Sequence, residues 1–192
     1  MRPNFVSFRT VLLLSTLLCA PMTADAATIV VNGGFETGDL SGWSCTGADF
    51  CDADSASPRS GVFHMRGYDN FGFATLSQDL STTAGDFYSF EFSSFADYSL
   101  SGNVLRYQIG SGPIVTVPTT LAYALTSTSF QAVSGLTTLS FYFETDSGTG
   151  TWRIDDVLVE ARATAPEPAM LSLLGLGLAG LAARRRSLGQ RS

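Results

Sequence analysis

Few side chains in this sequence offer chemistry, and their types narrow the choice. Cys45 and Cys51 lie six positions apart around Gly47-Ala48-Asp49-Phe50, and His64 is the single histidine of the chain. A metal site would need more thiols or histidines than this, so a disulfide formed in an oxidising compartment is the expected state of the pair. No Gly-x-Ser-x-Gly elbow and no histidine-rich metal motif accompanies His64, and the expectation is a non-catalytic protein. Two carboxylates at glycosidase spacing are the minor alternative. A sugar site, if the chain has one, would use exposed aromatic faces, because a pyranose ring offers C–H groups to the π face of an aromatic ring while amides and carboxylates take its hydroxyls. Tyr142, between Ser140 and Glu144 on one strand face, leads the candidates. Tyr68 and Tyr98 follow on loops, together with Phe71, while Trp43 reads better as a corner of the core.

The elements that must position these residues are strands. In Phe87–Ser93, Tyr88, Phe90 and Phe92 alternate with Ser89, Glu91 and Ser93. Leu139, Phe141 and Phe143 alternate with Ser140, Tyr142 and Glu144, and Leu105, Tyr107 and Ile109 with Val104, Arg106 and Gln108. A period of two with one apolar phase predicts half-buried strands, and turn signals at 101–103, 110–113 and 147–150 separate them. The fold class expected is all-β: an antiparallel β-sandwich of jelly-roll topology, with no convincing amphipathic helix between 27 and 162. One strand breaks phase. Trp152 and Ile154 share a face, yet Val157 and Val159 lie an odd number of residues further on, so a bulge is expected at Asp155-Asp156 that swings both carboxylates to the sheet rim.

Both ends of the chain read as addresses rather than core. Residues 1–26 carry Arg2 and Arg9, an apolar run from Val11 to Ala20 and small residues at Ala24-Asp25-Ala26, the pattern of a secretory signal peptide. Residues 27–162 make one domain, large enough to bury a core. That span holds 15 acidic residues against five arginines, a formal −10 compared with −6 for the whole chain. Such a surface repels phosphate backbones, so nucleic acid is not expected as a partner. Residues 163–192 form a tail in three parts: Pro166-Glu167-Pro168 on a stiff extended stalk, a 15-residue uncharged run at about 169–183, and Arg184-Arg185-Arg186. The run is just short of the usual spanning length of about 17–25 residues, and the arginines place its end on the cytoplasmic side.

The ordered tail resembles the PEP-CTERM sorting signal of Gram-negative, biofilm-forming bacteria. The resemblance implies recognition at Pro166, Glu167 and Pro168 by an exosortase-type membrane protease, transient anchoring in the inner membrane, and delivery to the cell surface or exopolysaccharide matrix. A second resemblance covers most of 27–162. Asn32-Gly33-Gly34-Phe35-Glu36-Thr37-Gly38 near the start, Leu76-Ser77-Gln78-Asp79-Leu80 in the middle and Ile154-Asp155-Asp156-Val157 at the end are similar to galactose-binding-like jelly rolls, to which many carbohydrate-binding modules belong. It implies a polysaccharide-binding module, or else a structural or adhesive matrix protein without a specific sugar site. It also implies a structural calcium ion tying the first strand to the last through Glu36 and Asp155, with Asp156 as alternate and carbonyls near Asn32 or Thr37 completing the shell.

Overall fold

A computed structural model of the chain describes residues 27–70, 72–97, 102–145, 150–162 and 177. The leader at 1–26, Phe71, Tyr98 and the tail with Pro166, Glu167, Pro168, the 169–183 run and Arg184, Arg185 and Arg186 lie outside the described residues, Gly177 excepted. No helix among the described residues is long and apolar enough to cross a membrane.

Among the described residues ten strands follow in chain order: β1 (Ser44–Thr46), β2 (Phe50–Asp54), β3 (His64–Tyr68), β4 (Ala74–Ser81), β5 (Phe87–Ala96), β6 (Val104–Ile109), β7 (Val115–Val117), β8 (Ala124–Gln131), β9 (Leu136–Glu144) and β10 (Trp152–Ala161). They make two five-stranded antiparallel sheets, ordered β1-β4-β9-β6-β7 and β2-β3-β10-β5-β8. The β-sandwich expected from the alternation is therefore present. Its apolar phases meet between the sheets: Phe90 and Phe92 of β5 pack on Tyr107 of β6 and Phe141 of β9, with Phe92 and Phe141 edge to face at 4.9 Å. Phe90, Phe92, Phe141 and Phe143 are all fully buried. Each contributes about 2–3 kcal/mol by transfer alone, so this aromatic layer sets the distance and angle between the sheets.

Cys45 and Cys51 are bridged, with Cα atoms 6.6 Å apart. The bridge reaches across the sandwich. It joins β1, an edge of one sheet, to β2, an edge of the other, and so staples the sandwich along one side. Trp43 is buried as expected, against Phe35 at 5.6 Å and Phe141 at 6.1 Å.

The bulge in β10 is also present. Pairing with β5 slips between Asp155 and Leu158, and Asp156 takes a left-handed φ of 51°. The expected swing of both carboxylates to the rim does not occur. The left-handed residue is Asp156, which remains half-buried, while Asp155 keeps its place in the ladder opposite Ser93 and is fully buried.

Candidate functional site

The three sequence motifs come together at one end of the sandwich, where they hold the fold. Asn32 accepts from Phe35 N and Trp43 Nε1 through its carbonyl, and its side chain donates to the carbonyls of Asp39 and Ser41. Gln78 on β4 accepts from Val31 N at 2.8 Å and donates to the carbonyls of Val31 and Gly42. Gly33 accepts from Val157 N inside the bulge, and a Cβ at Gly33 would lie 2.0 Å from the Val157 carbonyl oxygen. Only glycine permits that approach.

The acids implied as calcium ligands accept hydrogen bonds from backbone N–H groups. Glu36 accepts from Val62 N through both carboxylate oxygens, at 3.0 and 2.9 Å, and from Phe63 N at 3.1 Å. Asp155 Oδ2 accepts from Arg59 N at 2.8 Å and Ser60 N at 3.2 Å, and Oδ1 accepts from Asp156 N at 2.7 Å. The Asp156 carboxylate takes the Arg59 guanidinium and the Ser60 hydroxyl. Calcium requires six to eight oxygens. Here the positive ends of N–H dipoles point at the carboxylates, and among the described residues no group of three or more His, Cys, Asp or Glu side chains is placed to hold a metal ion. These donors make a latch that holds segment 55–63 down on the outer face of the β2-β3-β10-β5-β8 sheet.

Beneath that segment runs a polar row across the sheet. Asp54, His64, Asp155 and Ser93 follow one another on β2, β3, β10 and β5, the last three fully buried. Burial, with Arg153 next, pushes the His64 pKa below the usual imidazole range. Burial lifts Asp155 to about 6 against the opposing pull of its N–H donors. Neither His64 nitrogen nor Ser93 Oγ has a hydrogen-bond partner among the described residues. A working nucleophile, base and orienting acid are linked by hydrogen bonds. These three are not.

The other outer face is open. On it Arg106 of β6 and Thr75 of β4 flank Tyr142 of β9, and Gln108 and Ser77 flank Ser140. The Tyr142 hydroxyl donates to Gln108 Oε1 at 2.9 Å, and Gln108 Nε2 donates to the Gly112 carbonyl at 2.9 Å, so the ring is held with its body half exposed. Arg106 lies 4.4 Å over the ring of Phe73, which is 37% exposed. Glu144 lies on the same outward phase as Tyr142, one step along β9. Two aromatic rings, an amide, a guanidinium and a carboxylate thus line one surface. Tyr68 does not belong to it: it sits on β3 in the opposite sheet, half-buried and stacked on Phe50 at 5.8 Å. Arg106, Gln108 and Phe73 were not singled out from sequence; the outward phase of β6 was visible, but its register against β9 was not.

The fold is that of carbohydrate-binding jelly rolls. The chain is similar to TmCBM61 in complex with beta-1,4-galactotriose, at 20% identity over 71% of this chain and 100% of that one, with a TM-score of 0.59. It is similar to the CBM22-1 xylan-binding domain of Paenibacillus barcinonensis Xyn10C, at 14% identity over 72% and 97% of the two chains, TM-score 0.55. The enzymatically active domain of Bacteriophage CBA120 tailspike protein 4 shares the fold at 12% identity, but there the similarity covers 70% of this chain and only 21% of the other, TM-score 0.56. Residues 164–186 match the PEP-CTERM protein-sorting motif. No curated protein matches the chain.

Proposed function

We propose that the protein is a non-catalytic surface or matrix protein, sorted by its PEP-CTERM tail, that binds polysaccharide on the outer face of the β1-β4-β9-β6-β7 sheet around Tyr142. One observation carries this reading. Of the two outer faces, one is closed at its centre by segment 55–63, and the other presents the half-exposed rings of Tyr142 and Phe73 beside Gln108, Arg106 and Glu144. Rings fixed by their neighbours lose little entropy on stacking a sugar, and the polar groups around them can read its hydroxyls. A sorting tail on a sugar-binding domain would link a cell surface to its own polymer.

A glycan array followed by calorimetry tests it, with β-1,4-galactan and xylan among the probes because the neighbours named above hold galactotriose and bind xylan. Tyr142→Ala should weaken binding by about 2 kcal/mol, roughly thirty-fold, as for an aromatic anchor. Tyr68→Ala on the other sheet should leave it unchanged. Absence of binding to any polysaccharide would leave the structural or adhesive reading in its place.

A further inference from the structure

The four sheet edges are not alike. β1 and β7 are three residues each, and β7 lies between Pro113 and Pro118. β2 carries Asp52 and Asp54, both ion-paired with Arg66, and is tied by Cys51 to the other sheet. Shortness, proline, charge and a covalent tie are the devices that keep an edge from pairing with another chain. β8 has none of them. Its eight residues, Ala-Leu-Thr-Ser-Thr-Ser-Phe-Gln, contain no charge, proline or glycine, and it pairs with β5 through eight consecutive partners without a bulge. In a domain of formal charge −10, this is a long, straight, neutral edge.

The sandwich is also unfinished beside β8. The opposite sheet ends there in the short β7, leaving a cavity of about 140 Å³ lined by Tyr107, Ile109, Pro113, Val115, Thr128 and Phe130. A strand added to β8 would turn its inward side chains onto this opening. Leu125, on the outward phase, is 57% exposed.

The geometry points to self-pairing: β8 of one molecule adds antiparallel to β8 of a second copy across a two-fold axis, making one continuous ten-stranded sheet from two five-stranded ones. A second copy is the occupant that the chemistry favours. It brings a neutral strand of the same length, the nearest charge being the Glu91 carboxylate of β5 on the Ser127 hydroxyl at 2.8 Å, and the facing serines and threonines make favourable cross-strand pairs. Thr126, Thr128 and Phe130 are the inward side chains of the incoming strand. Pairing consumes the edge in both molecules, and the remaining edges are blunted, so the product is a closed dimer and not a filament. An interface of one strand pair is thin, which makes the dimer reversible in free solution and favoured where molecules are crowded on a surface.

Sedimentation velocity of the protein released from expressing cells, from micromolar to near-millimolar concentration, should show a reversible dimer and nothing larger. The substitution Ser129→Glu should weaken association at least tenfold by placing a carboxylate on each of the two facing edges, while Thr116→Glu on β7 should leave it unchanged. The double variant Ser127→Cys with Ser129→Cys should cross-link between copies on intact cells, and Thr116→Cys should not. Circular dichroism of each variant checks that the sandwich is retained. A wild type that stays monomeric throughout, a dimer that survives Ser129→Glu, or an open-ended polymer overturns the proposal. So does a monomer whose β8 amides gain protection from hydrogen exchange only when polysaccharide is added, an outcome that assigns the edge to sugar.

Discussion

Asp155 shows how much a single residue's surroundings decide. Its carboxylate is fully buried, with N–H groups of Arg59, Ser60 and Asp156 on its oxygens and the Asp156 charge beside it, and burial raises its pKa to about 6. A raised pKa means that the folded state favours the protonated form, so this group's stabilisation is complete below its unfolded value near 4 and is lost as pH rises through about 6. His64 works in the opposite sense. Its lowered pKa gives stability present above about 6.5 and lost as pH falls through the folded value. Thermal melts of the wild type against Asp155→Asn separate the two: acidification from about pH 7 to 5 should raise the wild-type Tm relative to the variant, whose profile keeps only the His64 component. A difference that does not change across that window would show that Asp155 is not strained by burial in its ionised form.

Among the elements, segment 55–63 and β10 depend on each other, and the pair shows what the sequence could and could not reveal. If Glu36 and Asp155 hold this segment by accepting N–H groups, then melting curves in millimolar calcium and in chelator should coincide. Glu36→Gln should lower stability by about 1 kcal/mol, the worth of a charge-assisted hydrogen bond at an exposed site. A rise of several degrees with calcium and not with magnesium would restore the ion. Strand phases, the buried Trp43, the Cys45–Cys51 bridge and the bulge were all legible, because each follows from local alternation or from cysteine count. Which acid becomes buried was not. That depends on which residue takes the left-handed φ, and it fell to Asp156. Nor was the separation of Tyr68 from Tyr142 legible, since strand order is fixed by pairings between distant segments such as Trp152 with Gly67 and Arg106 with Tyr142.

For the whole molecule the tail sets the context. Replacing Pro166-Glu167-Pro168 by three alanines should leave the protein membrane-retained with its C-terminus intact, and mass spectrometry of surface material reads this directly. An intact C-terminus in the wild type would reduce the motif at 164–186 to a plain anchor. The tail leaves the domain from β10, which lies at the centre of its sheet, hydrogen-bonded to β3 on one side and to β5 on the other, with Thr28 bridged to Glu160 near its end. A tug on the tail therefore loads the ladders on both flanks of β10 along the strand direction. Those bonds must slide and break together instead of opening one at a time. Any load carried at the C-terminal end of β10 is therefore borne in shear by a strand with a ladder on each flank, and the domain resists it as a stiff link.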